Sequence, residues 1–348
     1  MCDKKTHWIW RIVCRVGLHG KLLLIRDRRL VPTYLTEADV NHLADMDLAL
    51  ETVEASFERR GRGAAANVGR QRARTKDATL QLMGAADPEI GALGAKLYPT
   101  LPDGHATFVI IIFDATTGML TAVIEAGRLS ALRTGAASGV SVKHLARSDA
   151  RTVGLIGTGQ QARTQLEAVC AVQPPSIVRV FSRDPSHVNQ FAADMSRTLQ
   201  VSIEPVASAE NAVRDADVVI TATTAVNPVI EASWLAPGTH VVAMGTNHPL
   251  HRELDSSTIA RADRIMVDDL DGARVECGDL IAAAEDGLFQ WGEATELGQV
   301  VAGRAPGRTH ADEITLFESQ GIALWDIALG QAIVERAEAA GVGQCLHT

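Results

Sequence analysis

The stretch between Arg151 and Val172 constrains the fold of this chain more than any other. Thr152-Val-Gly-Leu-Ile156 is a short apolar run of strand character, and Gly157-Thr158-Gly159-Gln160-Gln161-Ala162 follows it directly. A helical pattern then runs to about Val172. A G-x-G-x-x-G/A run carries weight only after a strand and at the head of a helix, and both conditions hold here. Gly157 permits the tight turn, Gly159 lets the backbone approach a pyrophosphate, and Ala162 lets helix and strand pack closely. Phosphates would rest on the helix N-terminus, where free N–H groups and the dipole favour anions. The motif points to a NAD(P) site.

The text on either side agrees with that reading. Strand character recurs at Ile177–Phe181, 201–205, Val218–Thr221, 241–244 and Arg264–Val267, with helical stretches at 185–199 and 207–214 between. Such alternation makes a parallel sheet covered by helices on both faces. Upstream the pattern differs. Thr36 before Glu37 and Asp39 reads as an N-cap, and 45–60 carries a helical stripe. Strand-like segments then follow at 68–74, 78–84, 91–98, 106–113 and 119–125, separated by turn signals such as Pro102-Asp103-Gly104. These predict an antiparallel or mixed sheet. Residues 130–147 read as one helix, and the tail from Ala311 reads as two helical pieces. The fold class is therefore α/β: a Rossmann dinucleotide-binding domain over 129–319, and an α+β substrate and dimerisation domain from 31–128 plus 320–348.

Composition narrows the partners. The formal net charge is −9 over 348 residues, so no basic field suggests a nucleic-acid or anionic-membrane binder. No apolar run reaches the length of a membrane span. Five scattered cysteines without a C-x-x-C suit free thiols in the cytoplasm. Residues 1–30 differ from the rest, with eight Lys or Arg against two Asp, and are expected to be a poorly structured basic extension. His248-x-x-His251 has metal-like spacing but no evident third ligand, so no metal is expected. Asp268, Asp269 and Asp271 read as a solvated turn.

Cofactor choice turns on the end of the second parallel strand. An acid there binds the ribose hydroxyls of NAD. Here Ser182 holds that place, Arg183 follows, and Asp184 comes two positions late. A serine and an arginine suit a 2′-phosphate, so NADP(H) is preferred, with NAD(H) the alternative.

Several blocks resemble the ornithine cyclodeaminase and mu-crystallin family, from about Leu35 to the C-terminus. They are Ala95-Lys96 before Pro99, Leu129-Ser-Ala-Leu-Arg133-Thr134-Gly-Ala-Ala, the turn from Gly154 to Arg163, Thr221-Ala222-Thr223-Thr with Pro228-Val-Ile, and Glu313-Ile-Thr-Leu-Phe-Glu-Ser319-x-Gly321-x-Ala323. The resemblance implies a homodimeric enzyme acting on a small amino or imino acid. It places Lys96, Arg133 and either Arg70 or Arg72 on the substrate carboxylate. Arg supplies a bidentate, charge-assisted fork for that task. Arg70 and Arg72 share one face of a strand, so spacing leaves both open, with Arg70 preferred. Thr134, Thr221, Ala222, Thr223, Gly245 and Asn247 would lie beside the cofactor.

One departure from the family pattern bears on the chemistry. The loop G-G-D-x-P-G-K-x-E-L of cyclodeaminases reads here Gly245-Thr246-Asn247-His248-Pro249-Leu250-His251-Arg252-Glu253-Leu254. Asn247 replaces the aspartate that would act as base in ring closure and ammonia loss, and an amide accepts no proton near neutral pH. It can still hydrogen-bond an imine, a water or a carboxamide. Hydride transfer needs no such base. The expectation is reduction of a cyclic or acyclic α-imino acid, such as Δ1-pyrroline-2-carboxylate, with Lys96 and Asn247 at the reacting centre. The alternatives are ornithine cyclodeamination, alanine dehydrogenation, or a non-catalytic NADPH or small-molecule binder.

Overall fold

Eight short strands form one parallel sheet in a computed structural model that describes residues 12–16, 22–26, 31–104 and 106–346. Their order is Ser202–Pro205, Ile177–Phe181, Thr152–Ile156, Val218–Thr221, His240–Ala243, Thr315–Glu318, Arg264–Val267, Ala294–Glu296. Every neighbouring pair is parallel. From Thr152–Ile156 the chain works outward to Ser202–Pro205, then returns to Val218–Thr221 on the other side of the first strand. Such a reversal opens a crevice beyond the carboxyl ends of the two central strands, where dinucleotides bind.

The tail differs from expectation. In place of two helical pieces it supplies the strand Thr315–Glu318 and then one helix, Ala323–Ala340. All four strand residues are buried. Four residues are too few for periodicity to separate strand from helix, and Glu318 disguises an interior strand by placing an acid in it.

The upstream segments build a second sheet of seven strands, ordered Gln344–Cys345, Thr33–Leu35, Leu120–Glu125, Val109–Asp114, Ala92–Thr100, Thr79–Asp87, Ala66–Arg74. Its pairings are antiparallel except for Thr33–Leu35 with Leu120–Glu125. Alternation sets one face inward: Met83, Lys96, Ile110, Ile112 and Ile124 are buried. Helix Ala323–Ala340 lies on that face. A Cβ on Gly330 would stand 3.0 Å from Ile112 Cδ1, so the glycine lets helix and sheet close up.

Helix Gly127–Leu145 starts slightly earlier than its sequence pattern suggests, because Glu37 accepts from Gly127 N at 2.9 Å and so caps it from afar. It packs on helix Gln160–Val172 through Gly135, where a Cβ would meet Thr164 O at 2.3 Å. Thr36 caps Glu37–Leu43 as expected, in a reciprocal box with Asp39. The basic extension expected over 1–30 lies outside the described residues, save for the backbone of Ile12–Val16 and Leu22–Arg26, which pair antiparallel. No helix among the described residues is long and apolar enough to cross a membrane.

Candidate functional site

Lys96 lies on the inward face of the second sheet and is 1% exposed. Its Nζ meets Asp326 Oδ1 at 2.8 Å, and Arg133 Nε meets the same oxygen at 3.2 Å. Asp326 comes from the first turn of Ala323–Ala340 and is fully buried. The rings of Phe108 and Tyr98 flank Nζ at 4.9 and 5.7 Å. Burial withdraws Lys96 from water, and the Arg133 charge repels it. These effects outweigh Asp326 and bring its pKa down to about 7. One buried carboxylate thus faces two cationic side chains.

Arg133 is held from three sides. Its guanidinium lies 5.5 Å from the Trp325 ring, and Gly321 fits closely beneath it. Gly321 has φ +84°, and a Cβ there would stand 2.8 Å from Arg133 Nη1, so both backbone and space require glycine.

Arg70 and Arg72 converge on Glu276, a buried acid at the end of helix Leu270–Glu276. Arg70 also donates to Gln320 O at 2.9 Å and has a side chain only 2% exposed. Arg72 donates to Asn247 O at 3.2 Å, with 18% of its side chain exposed. Asn247 itself is exposed, on the loop after His240–Ala243. Arg72 therefore ties the edge strand of the second sheet to the carboxyl end of the first.

The expected solvated turn at Asp268, Asp269 and Asp271 is corrected in two of its three residues. Asp268 is buried and accepts from Ser319 Oγ at 2.7 Å and Gly321 N at 2.6 Å. Its burial raises the pKa to about 6. Asp269 caps Leu270–Glu276 through Gly272 N and pairs with Arg60. Only Asp271 is exposed. The acids follow a strand that lies inside the sheet, so Asp268 and Asp269 turn onto the segments packed around its end, Ser319–Gly321 and Arg60, rather than to water.

At the head of the first sheet, Gly157 has φ +109°, and a Cβ on it would stand 2.3 Å from Ala222 O. Gly159 opens the helix without a side-chain cap, and a Cβ there would meet nothing within 4 Å. That leaves an open cradle and uncapped N–H groups, which fit a pyrophosphate. Thr158 and Gln161 are half-buried, Gln160 is exposed and Ala162 is fully buried. Thr134 lies alongside, its carbonyl accepting from Gln165 at 3.4 Å. Ser182 and Arg183 directly follow the neighbouring strand Ile177–Phe181, with Arg183 exposed. Asp184 accepts from Ser186 N at 2.9 Å and caps Pro185–Leu199.

Thr221, Ala222, Thr223 and Gly245 line the crevice between the central strands; Glu253 accepts from both threonines and from Gly245 N, while Ala222 N donates to Ile156 O. The structure therefore gathers Lys96, Arg133, Arg70 and Arg72 at one end and the dinucleotide-type loops at the other. His248 and His251 stack at 4.5 Å on the loop between them. The partners Asp326 and Glu276 have no local motif. Only Glu253 fell inside a block read from the sequence.

Comparison with known proteins agrees. The model of the ornithine cyclodeaminase/mu-crystallin family matches residues 31–341. The structure of Thermococcus litoralis Δ1-pyrroline-2-carboxylate reductase in complex with NADH and L-proline is similar, at 35% identity and TM-score 0.86. The match covers 90% of this chain and 100% of that one. Paracoccus denitrificans iminosuccinate reductase in complex with NAD+ matches at 31% identity and TM-score 0.86, covering 91% and 99%. An archaeal alanine dehydrogenase dimer with bound NAD matches at 31% identity and TM-score 0.85, again covering 91% and 99%.

Proposed function

Because the chain belongs to the ornithine cyclodeaminase/mu-crystallin family, we propose that it is an NAD(P)H-dependent reductase of cyclic or acyclic α-imino acids, Δ1-pyrroline-2-carboxylate among them. The observation that carries this reading is the buried cluster of Lys96 and Arg133 on Asp326, together with a loop, tied by Arg72 to the edge strand of the same sheet, whose Asn247 offers no base. Arg133 meets Asp326 through Nε, so its terminal nitrogens can clasp a substrate carboxylate as a fork. Arg70 adds a second guanidinium from the edge strand, held in place by Glu276. Lys96, with a pKa near 7, can hold a proton at Nζ and pass it to the imine nitrogen or polarise a water there. Asn247 orients the imine or the carboxamide by hydrogen bonds. A bound nicotinamide dinucleotide supplies the hydride for the imine carbon.

Purified protein mixed with NADPH or NADH and Δ1-pyrroline-2-carboxylate should oxidise the cofactor and form proline. Ammonia release from ornithine, with no such oxidation, would replace this reading by cyclodeamination.

Solved relatives hold NADH or NAD+. For this chain we assign a preference for NADPH to Ser182 and Arg183. The one acid nearby, Asp184, is engaged as a helix cap and supports that choice. Arg183→Ala should weaken NADPH by about tenfold, the value of one charge-assisted contact, and leave NADH within about twofold. Equal losses on both, read by fluorescence titration, would remove the assignment.

We also propose a homodimer. The outer face of the second sheet carries Leu82, Leu93, Leu97, Ile111, Phe113 and Val123, none of them fully buried in the single chain. A continuous apolar face of this kind marks an association surface, and a second copy meets the precedent of the alanine dehydrogenase dimer. Light scattering should give twice the chain mass of 37.1 kDa. A monomer at micromolar concentration would exclude it.

A further inference from the structure

Glu253 is 0% exposed, yet no cation meets it among the described residues. Its four partners are neutral donors: Thr221 Oγ1 at 2.9 Å, Thr223 N at 2.7 Å, Thr223 Oγ1 at 2.6 Å and Gly245 N at 2.7 Å. Two of these are backbone N–H groups, which can only donate, and each carboxyl oxygen receives two bonds. Burial raises the pKa of Glu253 above the ordinary carboxylate value, and the bonds from Thr223, Thr221 and Gly245 work against that rise by favouring the ionised acceptor at both oxygens. The fit is close. A Cβ on Gly245 would stand 2.3 Å from Glu253 Oε1. The acid's own N–H is fixed in turn by Asp279 Oδ1 at 2.9 Å.

Tying two loops together does not by itself need a charge, and a buried charge without a counter-ion is costly. The remaining titratable groups around Glu253 are acids too. Asp279 and Glu318 adjoin behind it; burial raises the pKa of both, the Glu253 charge raises each further, and Asp279 pushes Glu318 toward its protonated form. The nearest loops, 221–223 and 245–247, are those that line the crevice between the central strands.

We propose that Glu253 is a positioning residue of the cofactor site. Its carboxylate clamps the loops 221–223 and 245–247, and its uncompensated negative charge favours the oxidised, cationic nicotinamide over the reduced, neutral one. The inference rests on the reading that a nicotinamide dinucleotide occupies this crevice. The charge acts through space from behind the loops and touches neither substrate nor cofactor. An anion near the ring lowers the free energy of the cationic form selectively, because burial leaves it weakly screened.

The test compares affinities of the oxidised and reduced dinucleotide, by calorimetry and by fluorescence, with turnover left out. In Glu253→Gln the oxidised form should weaken at least about tenfold more than the reduced form. Glu253→Asp keeps the charge but withdraws it by one methylene. Both forms should then loosen together, with their ratio within about threefold of wild type. If Glu253→Gln does not yield folded protein by circular dichroism, Glu253→Asp decides. A ratio shifted about tenfold toward the reduced form in that charge-retaining variant overturns the proposal. Equal weakening of both forms in Glu253→Gln also overturns it and leaves only a clamp. Failure of the wild type to bind either form would instead sink the cofactor reading itself.

Discussion

Lys96→Met should lower kcat/KM for an α-imino acid by about 1,000-fold, combining one charge-assisted contact with a lost proton donor. Met keeps the length and apolar stem of lysine between Phe108 and Tyr98, and Arg133 still faces Asp326. The thermal midpoint should therefore move by only a few degrees, and the loss is chemical rather than a loss of fold. The pH profile gives an independent reading. The Lys96 pKa in the free protein is about 7. The ammonium is the proton-bearing form, so kcat/KM should be level below that value and fall as pH rises through it. A carboxylate bound beside Nζ favours the ammonium, so the fall in kcat should come at higher pH. The limb should vanish in Lys96→Met. A wild-type profile that stays flat or rises from pH 6 to 9 would remove Lys96 from proton transfer.

Gly157→Ala should weaken dinucleotide binding by about 100-fold, since backbone strain and a displaced loop together cost about 3 kcal/mol. The φ of +109° suits glycine alone, and a methyl would drive into Ala222 O at 2.3 Å. Relief requires the 157 turn or the 221–223 loop to move, and both belong to the cofactor crevice. Gly159→Ala is the sharper companion, because its new methyl meets no protein atom within 4 Å. It should leave thermal stability unchanged and still weaken the cofactor, by filling the space left for the pyrophosphate. Unchanged dinucleotide affinity in Gly159→Ala would mean that the phosphates lie elsewhere.

Much of this site could be read from the sequence because its signals are local. The turn at Gly157-x-Gly159-x-x-Ala162 is contiguous, as is the block around Arg133, and Thr36 with Asp39 is a complete cap within four residues. The missing parts are pairings across the chain. Lys96 and Asp326 are 230 positions apart, and Arg70 and Glu276 are 206 apart. Nothing near Asp326 in sequence distinguishes it from an exposed helical acid. Asp268 and Asp269 show the same limit, since an acidic run looks solvated until the strand before it is known to be interior. The two-residue spacing of Arg70 and Arg72 showed that they share a face. Glu276, which binds both, shows why that face mattered.

Thr315–Glu318 also governs the order of events when the protein is made. His240–Ala243 and Arg264–Val267 do not pair with each other, because Thr315–Glu318 lies between them. During synthesis both strands leave the ribosome with an open edge, which Thr315–Glu318 covers only when its last residue has emerged, 51 positions after Val267 and 75 after Ala243. Translation proceeds at about 5–20 residues per second, so the exposed interval lasts several seconds. Over that time the unfinished sheet is a target for chaperones and for pairing with other nascent chains. The nucleotide-binding half thus cannot mature first and wait for its partner: one of its interior strands arrives with the tail.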